Sequence, residues 1–374
     1  MINEKYINLA KVLVNYSVHL HKGEKVLIEA IDTPIEMLQA VVNEVLAIEA
    51  IPIVDIKKMS ILRELYMNAT EFNMSFIAQY ELERMQKMDA WIGIRGSDNS
   101  KELIDVPHEK TKIYNRLWLK PVHFEERVNN TKWVVVRAPT PGFAQEAKMS
   151  TEAFEEFYFK VCTGVNWTKA SKAMDSLVNL MNDTKKVQIK GPGTELTFSI
   201  KGIPAVKCDG HYNIPDLEVF TAPIIDSVNG KISYNAPSTH DGYTFKDIRL
   251  EFKNGKIINA EANDTERINK IFNSDAGARF IGEFALGLHP MINKPIDDIL
   301  FDEKINGSFH FTPGGAYENE ADNGNRSMIH WDLVCVQTPE FGGGEIYFDN
   351  KLIRKDGRFV TKDLEKLNPE NLVK

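Results

Sequence analysis

The stretch Ser308-Phe309-His310-Phe311-Thr312-Pro313-Gly314-Gly315-Ala316-Tyr317, followed by Met328-Ile329-His330-Trp331-Asp332, places polar groups with ligand chemistry inside two short apolar runs. His330 and Asp332 are two residues apart, so on an extended chain their side chains point to the same face. An imidazole and a carboxylate buried side by side cost free energy unless a partner satisfies them. A metal ion is one such partner, because it binds imidazole nitrogen and carboxylate oxygen together.

A His-x-Asp pair on a strand is, taken alone, more often a hydrogen-bonded pair or an exposed polar face than a metal site. His310 favours the metal interpretation, since it lies in a second apolar run that ends in a Pro-Gly-Gly turn. Such a turn can aim the side chains on either side of it. The rest of the chain is needed to choose between these interpretations.

Length and charge restrict the class of protein. A chain of 374 residues is long enough for two domains with sizeable cores. The formal net charge of −8, from 45 Lys and Arg against 53 Asp and Glu, argues against a nucleic-acid partner, which normally requires a basic face.

Three features of the sequence indicate where in the cell the protein acts. Apolar residues recur at steps of three and four between positions 2 and 20, which predicts an amphipathic helix and not a signal peptide. No apolar run approaches the roughly 18 residues of a membrane span, so we expect no membrane partner. Three widely spaced cysteines are typical of buried thiols in a cytoplasmic protein, and they are Cys162, Cys208 and Cys335.

The first half of the chain alternates apolar runs with helical patterns. The runs at 26–28, 51–56, 90–94 and 133–137 are almost continuously apolar, which predicts a mostly parallel sheet in an N-terminal α/β domain spanning residues 1–185. Thr33-Pro34 predicts the cap and first turn of a helix. No dinucleotide or phosphate-loop glycine motif is present, so we expect this half to serve as scaffold and substrate wall.

The second half, residues 186–374, is predicted to be a β-rich α+β domain that carries the metal site. Asn254-Gly255 between two apolar runs predicts a hairpin. A helix is predicted from residue 264 to 286, with Asp264 or Thr265 as its cap and Gly287 as its stop.

Two further carboxylates stand out in this half. Glu218 lies between prolines and is followed by an apolar pair, and Glu283 lies in an apolar segment where a charge needs a partner. Each has an ordinary explanation: Glu218 in a turn or facing water, and Glu283 paired with Arg279 one helical turn earlier. From the residues alone these explanations stay open.

Together the motifs resemble the thermophilic-type metallo-aminopeptidases, the family of aminopeptidases T and S, over essentially the whole chain. The most specific segments are Pro215-Asp216-x-Glu218-Val219-Phe220-Thr221-Ala222-Pro223, Gly282-Glu283, His310 with Tyr317 seven residues later, and His330-Trp331-Asp332. Others are Lys22-Gly23-Glu24-Lys25-Val26, Ala138-Pro139-Thr140-Pro141, Ala144-Gln145-Glu146-Ala147 and Gly191-Pro192-Gly193-Thr194. One departure is Leu217, where the family often has glycine.

The resemblance implies a two-metal centre with five ligands: Glu218, Glu283, His310, His330 and Asp332. It also implies that Tyr317 lies beside the metals as a catalytic residue, that Glu283 takes part in catalysis, and that the protein is a homodimer. Oxygen and nitrogen ligands suit two divalent ions about 3.5–4 Å apart, and Zn²⁺, Co²⁺ and Mn²⁺ all remain open. The absence of HExxH disfavours the single-zinc proteases.

The expected function is a cytoplasmic metallo-aminopeptidase that removes N-terminal residues from peptides. The alternatives are a two-metal hydrolase of another amide or ester, and a non-catalytic binding protein with the same fold. The general base is left open, and so are the roles of His240 and His289.

Overall fold

A computed structural model describes residues 2–373, which form two compact units. The first unit runs to Thr163 and includes Gly210–Ile214, and the second consists of Gly164–Asp209 and the chain from Pro215 onward. The sequence predicted a boundary at residue 185, where strands begin to dominate. The helix at Trp167–Asp183 lies in the second unit because it packs on strands of that unit.

The helices alternate with strands in the first unit and are sparse in the second. They are α1 (Glu4–Lys11), α2 (Ile35–Ala47), α3 (Met59–Met67), α4 (Glu71–Met85), α5 (His108–Tyr114), α6 (Val128–Asn130), α7 (Pro141–Glu146), α8 (Thr151–Thr163), α9 (Trp167–Asp183), α10 (Thr265–Phe272) and α11 (Ile299–Asp302). π-Helical segments continue α1 through Val12–Ser17 and α5 through Asn115–Arg127. None of the helices within residues 2–373 combines the length and apolar content needed to cross a membrane.

Twenty strands within residues 2–373 form four sheets, one of which has only two strands. They are β1 (Lys25–Ile31), β2 (Ile51–Lys57), β3 (Ala90–Arg95), β4 (Lys132–Arg137), β5 (Lys186–Gly191), β6 (Thr194–Ser199), β7 (Val206–Cys208), β8 (Asn213–Ile214), β9 (Glu218–Thr221), β10 (Asn229–Ser233), β11 (Ser238–His240), β12 (Tyr243–Phe245), β13 (Arg249–Lys253), β14 (Lys256–Glu261), β15 (Ile281–Gly287), β16 (Ser308–Pro313), β17 (Val334–Val336), β18 (Glu345–Phe348), β19 (Lys351–Lys355) and β20 (Arg358–Phe359).

The first unit is built on a parallel sheet of order β2-β1-β3-β4-β8, which confirms the predicted α/β class. The inner strands β1 and β3 are buried on both faces, which accounts for their nearly continuous apolar runs, whereas the edge strand β2 leaves Ile51, Val54 and Ile56 exposed. One local prediction is wrong. The hydroxyl of Thr33 donates to the carbonyl of Ile31 and does not cap α2, because Pro34 itself occupies the cap position.

The second unit is β-rich, as predicted, and contains two large antiparallel sheets besides the two-stranded sheet of β11 and β12. Their orders are β14-β13-β10-β6-β5-β18-β19-β20 and β17-β16-β15-β9-β7. Phenylalanines connect the two sheets: the Phe198 ring lies 5.0 Å from the rings of both Phe284 and Phe311. The predicted hairpin at Asn254-Gly255 is confirmed, since both residues have positive φ and join β13 to β14.

The helix predicted from residue 264 to 286 is wrong in its second half. Asp264 does cap α10, but the helix ends at Phe272 and Glu283 lies on strand β15. A run that is apolar on both faces fits a central strand as well as a buried helix, and periodicity alone does not separate the two. Arg279 is not the partner of Glu283, because its guanidinium bonds Asn273, Asn269 and the carbonyl of Ile257.

Leu217 enters β9 with φ of 90°, a conformation that leucine rarely adopts. Its N–H donates to the carbonyl of Cys208 and its carbonyl accepts from the N–H of Leu288, both at 3.0 Å. These bonds impose a backbone strain of about 1–3 kcal/mol on the residue that precedes Glu218. The leucine side chain is fully buried, so packing offsets part of this cost.

Replacing Leu217 tests this strain. In an ordinary strand, glycine lowers the free energy of unfolding by about 0.5–1 kcal/mol relative to alanine. At Leu217 we expect the opposite order, with Leu217→Gly more stable than Leu217→Ala by about 1 kcal/mol, because only glycine is unstrained at this φ. Urea unfolding of both variants measures the order. Val219→Gly and Val219→Ala, on the same strand, are the controls and should show the ordinary order; an identical order at both positions contradicts the prediction.

Candidate metal centre

The register of the five-stranded sheet brings four polar side chains to one face. Directly opposed residues of antiparallel strands point to the same side, and side chains alternate along each strand. β15 is the central strand, with β16 on one side and β9 on the other. The face that carries Glu283 therefore also carries residues of both neighbours, through the pairs Glu283–Thr312, Ala285–His310 and Gly287–Glu218.

Glu283 lies between two histidines. Its Oε1 is 3.0 Å from Nε2 of His310, and its Oε2 is 3.1 Å from Nε2 of His330. Nε2 of His310 is also 3.6 Å from Oε2 of Glu218, and Nε2 of His330 is 3.4 Å from Oδ1 of Asp332. The five predicted site residues thus form two groups with ligand atoms close enough to hold a metal ion: Glu218–Glu283–His310 and Glu283–His330–Asp332.

His330 and Asp332 point to the same side, as their spacing predicts, but they do not lie on a regular strand. His330 forms an isolated bridge with Gly314, and the ladder to β16 begins only at Val334. Nδ1 of His330 lies 2.8 Å from the carbonyl oxygen of Gly315. A carbonyl only accepts, so Nδ1 donates this bond, which leaves Nε2 as the atom that would bind a metal ion.

The turn at 313–315 passes directly over β15. A Cβ added at Gly282 would lie 2.3 Å from the carbonyl oxygen of Gly315 and 2.5 Å from that of Gly314. Only glycine permits this approach, which brings the bond between Gly315 and His330 next to Glu283. Gly282 therefore positions the second histidine although it offers no ligand atom.

The donor set fits a divalent metal ion. Oε2 of Glu218 and Nε2 of His330 face the centre, are buried, and have no hydrogen-bond partner among the residues that the structure describes. Burial lowers the pKa of His310, but the carboxylates of Glu218 and Glu283 outweigh it and raise that pKa to about 10. The field that attracts a proton so strongly would equally stabilise a metal cation.

Sequence reasoning missed Lys304, whose side chain is only 1% exposed. Its Nζ lies 2.6 Å from Oε1 of Glu218, 2.9 Å from Oε1 of Glu303 and 3.3 Å from Oδ1 of Asp216. In the sequence Asp302-Glu303-Lys304 looks like a solvated turn, so no local signal marked it. The ammonium occupies the surroundings of Asp216 and Glu218, which with Cys208 form a third group of potential ligands.

Thr312 was also missed, and its hydroxyl donates to Oδ1 of Asp332 at 2.7 Å. Here a signal existed, because Thr312 is two residues beyond His310 and so shares its face of β16.

The pKa of the nearby Glu303 is raised to about 8. Burial and the Glu218 carboxylate raise this pKa, and they outweigh the Lys304 ammonium, which lowers it.

Tyr317 lies beside the centre. Its ring packs edge-on against the His330 ring at 4.9 Å and contacts Phe220 at 5.4 Å, and its side chain is 48% exposed. His240 packs against Trp331 with 4.7 Å between the ring centroids. His289 is buried, and its Nδ1 accepts the N–H of Met291, which gives it a structural role.

The chain is similar in sequence to several curated aminopeptidases. The curated relatives include aminopeptidase PepS of Streptococcus thermophilus, 26% identical over 88% of this chain and 91% of its own length. Aminopeptidase T of Thermus thermophilus is 26% identical over 73% of this chain and 76% of its own length.

Two solved structures share the fold. Wild-type AmpT of Thermus thermophilus superposes with a TM-score of 0.79 at 21% identity, covering 96% of this chain and 100% of its own. The 2,5-dihydroxypyridine dioxygenase of Pseudomonas putida KT2440 reaches 0.61 at 14% identity, covering 97% and 100%. The fold alone thus accommodates different chemistries. The sequence profile of the thermophilic metalloprotease family (M29) matches residues 2–359, and the chain belongs to this family of metal-dependent peptidases.

Proposed function

We propose that the protein is an aminopeptidase that uses two divalent metal ions to remove N-terminal residues from peptides. The observation that carries this proposal is the position of Glu283, whose two carboxylate oxygens face different histidines. A carboxylate that belongs to two ligand groups is suited to bridge two ions. The aminopeptidase activity of the relatives named above supports the choice of substrate.

The charge of the cluster supports two ions. Five carboxylates lie in the cluster: Asp216, Glu218 and Glu303 contact the buried ammonium of Lys304, whereas Glu283 and Asp332 contact the histidines. Buried charges of one sign are costly unless cations offset them. Two divalent ions would offset the excess that Lys304 leaves, and nitrogen and oxygen ligands suit Zn²⁺, Co²⁺ or Mn²⁺.

Divalent ions in such a centre supply a nucleophile at neutral pH and polarise a carbonyl oxygen. The chain's own residues would orient the ligands: the carbonyl of Gly315 fixes the ring of His330, and the hydroxyl of Thr312 fixes Asp332. Tyr317, exposed beside His330, would donate its phenolic proton in a hydrogen bond to the oxyanion that develops on the substrate.

Two other functions remain as alternatives: hydrolysis of another amide or ester by the same centre, and a binding role without catalysis. The presence of all five donor groups in one cluster weighs against the binding role. Release of aminoacyl reporter groups by the purified protein, with metal content measured in parallel, separates the three. Metal without aminoacyl release would favour another hydrolase, and absence of both would favour a binding protein.

We also propose a homodimer, first suggested by the family resemblance. Phe72, Phe76 and Tyr80 recur every four residues on α4 and are all exposed. An aromatic stripe of this kind is typical of a surface that a partner covers.

Metal stoichiometry tests the bridging role of Glu283. Because Glu283 belongs to both ligand groups, Glu283→Ala should lose both ions, whereas His330→Ala should lose mainly one. Both variants should lose activity. Mass spectrometry of the metals bound to the dialysed proteins measures the ratio of metal to chain. His240→Ala, a histidine outside both groups, is the control, and full metal occupancy in Glu283→Ala would remove this residue from the ligands.

Lys304 should stabilise the metal-free protein. Lys304→Met leaves three carboxylates without their ammonium and should lower the free energy of unfolding by about 3–5 kcal/mol. Added Mn²⁺ should then raise the melting temperature more in the variant than in the wild type, since the metal supplies positive charge that the variant has lost.

Thermal unfolding with chelator and with Mn²⁺ measures both effects. Lys207→Met is the matched control, because Lys207 pairs with Asp175 on a partly exposed surface and should matter little. Equal melting temperatures for Lys304→Met and Lys207→Met in chelator would refute the role of Lys304.

The Tyr317 hydroxyl should act mainly in the transition state. Tyr317→Phe should lower kcat by roughly 10²–10³ while KM and metal content change little, because the ring and its packing on His330 are retained. Steady-state kinetics on an aminoacyl reporter provide the measurement. Near-normal turnover, or joint loss of metal and stability, would assign Tyr317 a structural role instead.

A further inference from the structure

A cavity of about 420 Å³ lies in the first unit, which contains none of the proposed metal ligands. It is bounded by one face of the parallel sheet and by α3, α4, α5 and the π-helical segment that follows α5. Ile31, Lys57 and Arg95 line it, and they are the last residues of β1, β2 and β3. Ligands of open α/β sheets bind at the carboxyl ends of the strands, at the point where the strand order reverses direction. Here that point is beside β1, because β2 lies on one side of β1 and β3 on the other.

Aromatic rings form much of the cavity wall, among them Trp91 and Trp118. The Trp91 ring lies over Gly93 on the same strand, since a Cβ at Gly93 would come within 2.5 Å of the indole. Gly93 therefore creates the flat surface on which the indole rests. A cavity of this size and lining suits a small ligand with an apolar body.

The polar side of the cavity is basic. Glu29 is buried and pairs with Arg95 at 2.7 Å, Lys57 at 2.9 Å and Arg127 at 3.2 Å. Lys57 also lies 3.3 Å from Asp55 and 3.9 Å from Glu81, and Arg84 pairs with both of these. One positive charge remains in excess in this cluster. Its four basic side chains are Lys57, Arg84, Arg95 and Arg127, and its three carboxylates are Glu29, Asp55 and Glu81.

Hydrogen bonding leads to the same conclusion. Nη1 of Arg95, Nη1 of Arg127 and Nε1 of Trp91 are buried donors without a hydrogen-bond partner among residues 2–373. His123 adds no charge near neutral pH, since burial and Arg127 lower its pKa to about 4. The cluster thus has too few acceptors, and unsatisfied buried donors are costly.

We propose that this cavity binds a small monocarboxylate with an aromatic or branched apolar body. Its carboxylate would pair with Arg95 and Lys57, whose side chains remain 23% and 19% exposed, whereas Arg127 is 1% exposed and stays beneath them. The body would lie against Trp91 and Trp118. The ligand would supply the missing acceptor and the balancing charge, and the proposal does not depend on the peptidase activity.

Titration of the full-length protein with 3-phenylpropanoate, followed by tryptophan fluorescence and calorimetry, tests the proposal. We expect the neutral 3-phenylpropanamide to bind at least about tenfold more weakly, because it loses the charge-assisted pair. Arg95→Met should weaken binding of the carboxylate by about tenfold or more, and Arg95→Lys by less, since the charge is retained.

Arg63→Met is the matched control. Arg63 has the same side-chain exposure as Arg95, 23%, but it pairs with Glu64 and Asp105 outside the cluster and does not line the cavity, so binding should be unchanged. Arg127→Met is avoided because it would leave Glu29 short of a buried partner. Unchanged affinity in Arg95→Met would place the carboxylate elsewhere, for example on a metal ion, and overturn the proposal. Equal affinity for acid and amide, or binding of neither at millimolar concentration, would also overturn it.

Discussion

The metal centre depends on the register between three antiparallel strands. β15 lies between β9 and β16, and the pairs Ala285–His310 and Gly287–Glu218 bring the proposed ligands of β16 and β9 to the face that carries Glu283. A shift of one residue in either pairing would turn half of these side chains toward the phenylalanines on the other face. The apolar packing behind the sheet therefore specifies the position of the polar groups in front of it.

Backbone geometry around the centre is constrained at two positions. Gly282 allows the turn at 313–315 to approach β15, and Leu217 holds a positive φ immediately before Glu218. At Gly282 the absence of a side chain permits the close approach, whereas at Leu217 the positive φ imposes backbone strain. Strained residues next to ligating side chains are stable only when the surrounding packing holds them in place, and Leu217 is fully buried.

Each unit also buries one ionised side chain among several groups of opposite charge. In the second unit Lys304 is surrounded by carboxylates, and in the first unit Glu29 is surrounded by basic groups. Burial and the Arg95 guanidinium act in opposite directions on Glu29; the basic groups prevail, and the pKa of this carboxyl is lowered. The two clusters carry opposite excess charge, which fits cations at the one and an anion at the other.

Local patterns in the sequence determined much of this architecture. The parallel strands, the hairpin at Asn254-Gly255 and the common side of His330 and Asp332 follow from periodicity and turn chemistry, which act between near neighbours. The sequence also supplied the five proposed ligands, because the motifs that carry Glu218, Glu283, His310, His330 and Asp332 resemble those of one family.

The tertiary structure decided what local patterns leave undetermined. The segment around Glu283 is apolar on both faces, so only its pairing with β9 and β16 makes it a strand. Lys304 gave no sequence signal, because its three carboxylate partners come from separated positions and meet only after folding. The cavity beside Arg95 likewise arises from strands and helices far apart in the chain. The physical reason is the same in each case: local preference acts over a few residues, whereas burial and charge pairing act between whatever the fold brings together.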